Sequence, residues 1–178
     1  ALHDPFHTIH MGVTAENIAA KWGISRADQD ALALESHQRA ERATAAGYFK
    51  DQIVPVMLKS RKGEVAYTTD EHFRANATLE DFAKLKPVFA KENGTVTAGN
   101  ASGINDAAAA VVLREAGTAK GRGVKPLAGL VAYAHAGVDP KYMGIGPVPA
   151  NQLALKTAGL TVNDLDVIEA NEAFAAQA

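Results

Sequence analysis

Apolar positions at helical spacing dominate the first third of the chain. A first helix is predicted from apolar residues that lie three or four positions apart, namely Met11, Ala15, Ile18 and Trp22. Thr14 is its expected N-cap and Gly23 its expected end. The motif Ser25-Arg26-Ala27-Asp28 matches a capping box, so a second helix is predicted to begin there and to end near Gly47. Residues 1–98 are therefore expected to be mostly helical.

A strand-like segment interrupts these helices. Residues 53–58 are rich in β-branched and apolar side chains, and Pro55 restricts them to an edge strand. Arg61-Lys62-Gly63 is a predicted turn, after which residues 65–67 are expected to pair back as a hairpin. A short helix is then predicted from Thr78 onward.

The second half of the chain alternates short apolar runs with helices. Three runs are predicted to be buried strands: 107–113, 127–135 and the run that ends at Val167 and Ile168. Helices are predicted at 115–120 and at 150–158, with Pro149 in the first turn of the latter and Gly159 at its end. This alternation of strands and helices predicts an α/β fold.

Asn171 directly follows the last of these runs. The Ala-rich residues from Ala173 onward are predicted to form a helix, which places Asn171 at a strand-to-helix corner. Ligands of open α/β sheets bind beyond such corners, and a carboxamide can hold a water or an oxyanion without titrating. Alternatively, Asn171 only caps the helix. From the residues alone, both interpretations stay open.

Composition and charge exclude several classes of protein. The 178 residues are 47% hydrophobic and 21% charged, which is typical of a soluble globular protein. A net charge of −2 gives no field for nucleic acid or a membrane surface, and no apolar stretch is long enough to span a bilayer. A cytoplasmic protein is therefore expected. The absence of cysteine excludes disulfides and a cysteine nucleophile within these residues.

Few polar residues suggest a site by type and spacing alone. No metal site is expected, because the spacing typical of metal ligands is missing among the six histidines His3, His7, His10, His37, His72 and His135. Residues 98–103 are rich in glycine but lack the spacing of a phosphate-binding loop. Met143 lies either in the core or beside a ligand. Arg74 belongs either to a solvated face or to an anion site.

Four ordered motifs resemble those of the thiolase family. They are His10-Met11-Gly12-Val13-Thr14-Ala15-Glu16-Asn17, Thr95-Val96-Thr97-Ala98-Gly99-Asn100-Ala101-Ser102-Gly103-Ile104-Asn105-Asp106, Met143-Gly144-Ile145-Gly146-Pro147-Val148-Pro149-Ala150 and Asn171-Glu172-Ala173-Phe174. The resemblance covers essentially the whole chain. The histidine before Met11 is most similar to short-chain acetyl-CoA acetyltransferases, among them the bacterial β-ketothiolases that feed polyhydroxyalkanoate synthesis.

The resemblance implies a thiolase-like α/β fold, only partly present in this chain. Such a fold has two similar halves of the αβαβα type, with a mostly helical loop domain inserted into the first. On this basis residues 1–95 are the loop domain, 96–124 end the first half and 125–178 begin the second. The missing initiator Met and the abrupt end at Ala178 also suggest a piece of a longer protein. Residues 107–113 and 127–131 are then expected to leave apolar surface exposed.

The resemblance also implies a reaction. Thiolases condense two acetyl-CoA molecules to acetoacetyl-CoA or cleave a 3-ketoacyl-CoA, with coenzyme A thioesters as substrates and no other cofactor. Asn171 matches the catalytic Asn that holds a water for the thioester oxygen. The residues expected to bind substrate are His10 and Ser102 at pantetheine, Met11, Met143 and Phe174 at the acyl pocket, Arg74 at the nucleotide phosphates, and Leu2, Phe89, Ala98, Ile104 and Ala173 as apolar wall.

One departure from the family pattern limits what this chain can do. The two cysteines and the histidine of thiolases lie in segments that match nothing here, so these 178 residues alone are expected to be inactive. The complete protein is expected to be a homodimer or homotetramer. The alternatives are a non-catalytic thiolase-like protein that binds acyl-CoA or lipid, a ketoacyl synthase and an interaction module. The intact Asn171 motif and the inserted loop domain disfavour the first two.

Overall fold

The protein, described by a computed structural model over residues 2–61 and 63–178, consists of two units. The first unit runs as far as Gly103 and also takes in Asn171–Ala178, whereas the second is Ile104–Ala170. Lys62, which belongs to the predicted hairpin turn, and Ala1 lie outside the described residues. Within the described part of the chain, no helix is both long and apolar enough to cross a membrane.

Helix α1 (Met11–Trp22) follows the predicted apolar pattern, but it begins earlier than the capping prediction. His10 is the N-cap, because its Nδ1 accepts a hydrogen bond of 3.0 Å from the Gly12 N–H. The prediction of Thr14 as N-cap was therefore wrong. Thr14 lies inside the helix, where its hydroxyl donates to the Met11 carbonyl at 2.6 Å.

Helices α2 (Arg26–Ala45) and α3 (Leu79–Ala83) begin where their capping motifs predicted. The Asp28 carboxylate accepts hydrogen bonds from both the backbone N–H and the hydroxyl of Ser25, at 3.1 and 2.6 Å. The hydroxyl bond is the main reason why the pKa of Asp28 lies below its usual range. Helix α3 has the same arrangement at its own N-terminus.

The predicted hairpin is present. Strand β1 (Val56–Ser60) pairs antiparallel with β2 (Gly63–Tyr67), so that Val56 lies opposite Tyr67. The strand begins after Pro55, which has no N–H to donate to a neighbouring strand. Both strands are exposed along their length.

The second unit contains helices α4 (Ala116–Gly121) and α5 (Pro147–Ala158), both near their predicted positions. Two 3₁₀ helices accompany them, at Pro140–Ile145 and Val162–Asp164. Gly159 ends α5 with a φ of 69°, a conformation in which glycine has no Cβ to clash.

The prediction of three buried strands was wrong for the described residues. Residues 107–113, 127–135 and the run ending at Ile168 form no strand, and their apolar side chains are exposed, Val112 to 94%. A strand needs N–H and C=O partners on a neighbouring strand, and a sequence pattern cannot supply that neighbour. The expectation of exposed apolar surface at 107–113 and 127–131 is confirmed.

The predicted helix after Asn171 is also absent. Residues 173–178 form a turn whose backbone groups bond partly to residues 100–102 instead of continuing a helical ladder. The Ala-rich composition favours a helix locally, but the long-range pairing takes up the N–H and C=O groups that a helix would use.

The core of the first unit lies between α1 and the loop that follows Gly94. It contains four buried residues: Ala15, Ala19, Val96 and Ala176. The Glu16 carboxylate borders this core and accepts hydrogen bonds from the N–H groups of Thr95 and Val96, at 2.9 Å for each closest pair. It also accepts one from the Thr95 hydroxyl at 2.8 Å. Glu16 therefore ties the start of the loop to α1.

Replacing Glu16 with alanine is expected to lower the free energy of unfolding by about 2 kcal/mol, because the N–H of the fully buried Val96 loses its acceptor. Urea titration followed by circular dichroism measures the change. Glu16→Gln keeps one acceptor oxygen, so its free energy of unfolding should fall by less. The control is Glu92→Ala at an exposed position, which should stay within about 0.5 kcal/mol of the original. An equal loss in Glu16→Ala and Glu92→Ala would contradict the assigned role.

Candidate functional site

The Asn171 motif lies beside the glycine-rich turn through direct backbone pairing. Ala101 and Phe174 form an antiparallel bridge. The Ser102 N–H donates to the Ala173 carbonyl at 2.9 Å, and the Ala175 N–H donates to the Asn100 carbonyl at 2.9 Å. Two of the four motifs from the sequence are thus held against each other within the first unit.

A third motif joins them through a cluster of aromatic rings. The His10 imidazole stacks on Phe89, with ring centroids 4.6 Å apart and an angle of 22° between the planes. Phe89 meets Phe174 edge to face at 6.3 Å, a favourable geometry for two aromatic rings. The backbone adds Leu2, whose carbonyl accepts a hydrogen bond from the Met11 N–H at 2.9 Å. Five of the predicted substrate-binding residues therefore lie together.

Gly12 makes this ring packing possible. A Cβ at this position would lie 2.2 Å from the Phe89 ring, far closer than atoms can approach. The ring therefore rests directly on the backbone of α1, next to the N-cap His10. A small residue between His10 and the buried face of α1 is a structural requirement of the site.

A separate cleft of about 430 Å³ opens in the same unit. Its walls come from α2, α3, the residues before α3 and the glycine-rich turn, and the residues that line it are His37, His72, Arg74, Ala75, Asn76, Ala77, Asp81, Phe82, Leu85, Ala98, Gly99 and Ala101. Arg74 and Ala98 are the predicted residues among them. The Arg74 N–H donates to His37 Nδ1 at 3.0 Å, which fixes the segment that carries the guanidinium.

The cleft combines fixed charges of both signs with a neutral imidazole. Burial, followed by electrostatic interaction with the nearby His72 and Arg74 side chains, lowers the pKa of His37. The neutral form is thereby favoured, and its Nδ1 lone pair is the one that accepts from Arg74. The hydroxyl of Thr78 and then the ammonium of Lys84 lower the pKa of Asp81, so this carboxylate is charged near neutral pH. The Arg74 guanidinium is the cation that can meet an anionic ligand in the cleft.

The remaining predicted residues are placed differently. Asn171 belongs to the first unit and is exposed, while the neighbouring Glu172 accepts a hydrogen bond of 2.6 Å from the Ser36 hydroxyl on α2. Ile104 and Met143 belong to the second unit, where Ile104 is 82% exposed and Met143 lies in a 3₁₀ helix. Within their own unit, neither residue is fully buried.

Sequence reasoning missed four polar residues that hold these features in place: Glu16, Asp30, His37 and Asn100. Glu16 carried no signal in the predicted pattern, because the apolar positions Met11, Ala15, Ile18 and Trp22 lie on another side of α1. In the structure its neighbours one helical turn away, Gly12 and Ala19, are buried. A carboxylate at such a position needs partners. Asp30 and Asn100 have some partners nearby in sequence, but the bond that joins the two residues to each other spans 70 positions and left no local pattern.

Comparison with known proteins places the whole chain in one group. The family model for the N-terminal domain of thiolase matches residues 1–117, and that for the C-terminal domain matches residues 124–178. The chain is 72% identical to the β-ketothiolase BktB of Cupriavidus necator over 178 residues, which is 100% of this chain and 45% of that protein. It is 58% identical to an acetyl-CoA acetyltransferase of Paracoccus denitrificans, covering 99% of this chain and 45% of the relative.

Solved structures give the same picture. The acetyl-CoA acetyltransferase of Bacillus anthracis superimposes with a TM-score of 0.91 at 52% identity, covering 99% of this chain and 44% of that chain. Human mitochondrial 3-ketoacyl-CoA thiolase superimposes with a TM-score of 0.86 at 46% identity, again over 99% and 44%. The chain therefore spans a little under half the length of the relatives that it matches.

Proposed function

Since the chain belongs to the thiolase family and shares its fold over the region that it spans, we propose that it serves acyl transfer between coenzyme A thioesters. The reaction is the condensation of two acetyl-CoA molecules to acetoacetyl-CoA, or the reverse thiolysis of a 3-ketoacyl-CoA. The observation that supports this most directly is the backbone pairing of residues 173–175 with residues 100–102, which brings the Asn171 motif to the edge of the glycine-rich turn.

The chemistry divides into parts that this chain can and cannot supply. A Claisen condensation needs a nucleophile for the acyl group, a base for the α-proton and hydrogen-bond donors for the thioester oxygens as they gain charge. No cysteine is present in the 178 residues, so the thiolate nucleophile of thiolases has to come from other residues. The contribution proposed for Asn171 is to hold a water that donates to a thioester oxygen.

In this proposal the substrate extends from the aromatic rings of His10, Phe89 and Phe174 to the cleft that Arg74 lines. His10 and Ser102 contact the pantetheine, Met11 and Phe174 line the acyl pocket, and Arg74 meets the phosphates of the nucleotide. The wall is formed by Leu2, Phe89, Ala98 and Ala173. Met143 is proposed to line the acyl pocket as well, and Ile104 to form part of the wall. Both residues belong to the second unit.

The organisation of the complete protein is part of the same proposal. Residues 1–95 form the loop domain, 96–124 close the first thiolase half and 125–178 begin the second. The protein acts in the cytoplasm as a homodimer or homotetramer on acetyl-CoA and 3-ketoacyl-CoA.

A hybrid enzyme tests this function directly. The hybrid is the Cupriavidus necator β-ketothiolase BktB in which this chain replaces the matching 178 residues. We expect it to cleave acetoacetyl-CoA in the presence of coenzyme A, measured by loss of the absorbance of the magnesium enolate. The chain by itself, with its mass of 18.7 kDa verified, is expected to show no turnover because it has no nucleophilic thiol.

The outcomes separate the alternatives. A folded hybrid that binds coenzyme A saturably but does not turn over would favour a non-catalytic acyl-CoA-binding protein. A folded hybrid that neither binds nor reacts would contradict the proposed function altogether. Turnover by the pure 18.7 kDa chain would contradict the proposal that the nucleophile lies outside it.

A further inference from the structure

Asn100 is the most heavily bonded polar side chain in the glycine-rich turn. It is 2% exposed, and its Oδ1 accepts a hydrogen bond of 2.7 Å from the Thr97 N–H. Its Nδ2 donates to the Thr95 carbonyl and to Asp30 Oδ1, each at 3.0 Å. Two of these bonds close the turn on itself, and the third fastens it to α2.

Only an amide satisfies all three partners. The Thr97 N–H can only donate, whereas the Thr95 carbonyl and the Asp30 carboxylate can only accept. Asp30 is 5% exposed and paired with Arg26 at 2.7 Å, so its charge is held in place beside Asn100. An aspartate at position 100 would keep the acceptor, lose both donors and place a second carboxylate against Asp30.

The same residue holds the Asn171 segment through its backbone. The Asn100 carbonyl accepts from the Ala175 N–H at 2.9 Å, and two positions later Ser102 bonds to Ala173. We propose that Asn100 is a positioning residue for acyl transfer, which sets the register of the Asn171-Glu172-Ala173-Phe174 segment against the turn that walls the cleft. This inference rests on the proposed function.

Asn100 is also connected to the opposite wall of the cleft. Arg26, the partner of Asp30, donates to the carbonyls of Phe82 and Leu85 at 2.6 and 3.0 Å. Gly99 packs so closely on this wall that a Cβ there would lie 2.6 Å from Leu85 Cδ1. The bonded series Arg26–Asp30–Asn100, in which Asp30 and Asn100 are buried, thus fixes the cleft wall and the Asn171 segment relative to the same helix.

The test uses the hybrid enzyme with Asn100→Asp. The expected result is a fall in kcat of about tenfold or more, with the KM for the coenzyme A thioester within about threefold, because a shift of the Asn171 segment affects the transition state more than ground-state binding. Hydrogen exchange at the Ala175 and Ser102 amides should become faster. Exchange at Leu155, within α5 of the second unit, should not change.

Two further variants distinguish positioning from loss of stability. Ala119→Gly removes a buried methyl group from α4 in the second unit and should lower stability without lowering kcat. Asp30→Asn combined with Asn100→Asp reverses donor and acceptor across the Asp30–Asn100 bond and should recover part of the lost kcat. If the two substitutions acted independently, the double variant would instead show the sum of their separate losses.

The proposal is overturned if Asn100→Asp leaves kcat unchanged, if Ala119→Gly lowers kcat as much at equal stability, or if the double variant is worse than Asn100→Asp alone. Unchanged exchange at Ala175 in Asn100→Asp overturns it as well. If the hybrid with the original sequence shows no turnover, the proposed function fails, while the exchange measurement still decides whether Asn100 holds the segment.

Discussion

Replacing Asn171 with alanine in the hybrid enzyme is expected to lower the kcat of thiolysis by about 100-fold to 1000-fold. The carboxamide is exposed, uncharged and next to the segment that pairs with the glycine-rich turn, so its proposed task is to orient a water toward the thioester oxygen. This interaction gains strength only as the oxygen acquires charge. The KM should therefore change little, and steady-state kinetics with acetoacetyl-CoA measures both parameters.

The matched control for this variant is Asn151→Ala. Asn151 is an exposed carboxamide on α5 that no proposed contact involves, so its loss should leave kcat and KM unchanged. A rise in KM with an unchanged kcat in Asn171→Ala would assign Asn171 to substrate binding instead of oxyanion stabilisation. An unchanged kcat and KM would contradict a catalytic role for Asn171, for which no helix among the described residues 172–178 offers a capping role instead.

Replacing Arg74 with alanine is expected to raise the Kd of the hybrid enzyme for coenzyme A by about 10-fold to 100-fold, the amount that a charge-assisted hydrogen bond contributes. The same variant should bind pantetheine, which has no nucleotide, with an unchanged Kd. Isothermal titration with the two ligands measures the difference. The physical reason is the position of Arg74 in the cleft, where its segment is anchored by the bond from its N–H to His37.

Arg61→Ala provides the comparison for charge alone. Arg61 is exposed beside the hairpin turn, outside the cleft, and carries the same charge. If Arg61→Ala and Arg74→Ala weaken coenzyme A binding equally, Arg74 acts only through a general electrostatic attraction. If the Kd of Arg74→Ala rises equally for pantetheine and for coenzyme A, the nucleotide binds somewhere other than beside Arg74.

Elements with local determinants could be predicted from the sequence. The capping boxes at Ser25 and Thr78 use bonds between residues three positions apart, and the helices begin where these motifs lie. The hairpin follows from a turn between two β-rich segments, and Gly23 and Gly159 end helices because they adopt a positive φ. In each case the partners are close in sequence, so the pattern contains the whole interaction.

Elements whose interaction partners are distant in sequence could not be predicted from the sequence. Residues 107–113 have the apolar composition of a buried strand, but composition does not contain the neighbouring strand or the covering helix that burial requires. The turn at residues 173–178 was mistaken for a helix because its competing partners, residues 100–102, lie far away in sequence. The first error arises because tertiary partners are missing, and the second because tertiary hydrogen bonding overrides local preference.

The candidate site shows the same division. The residues carried by motifs were identified, and the structure places Phe89 in contact with both His10 and Phe174. The polar residues that hold them were not identified, because the bonds that tie Asn100 to α2 and to the Asn171 segment join it to Asp30 and Ala175, which are distant in sequence. Their roles in substrate binding and catalysis stay predictions until the variants are measured.

The first unit is discontinuous in sequence, and this affects the order in which its parts can fold during synthesis. All of Ile104–Ala170 leaves the ribosome before Asn171–Ala178 can join the unit to which it belongs. Until then the Phe89 ring lacks its edge-to-face partner, and the Asn100 carbonyl has to bond to water. Contacts between residues so distant in sequence raise contact order and slow folding, whereas the entropy of closing the intervening loop grows only slowly with its length. The site can therefore be completed only after Ile104–Ala170 has been synthesised, and a chain truncated before Asn171 lacks it.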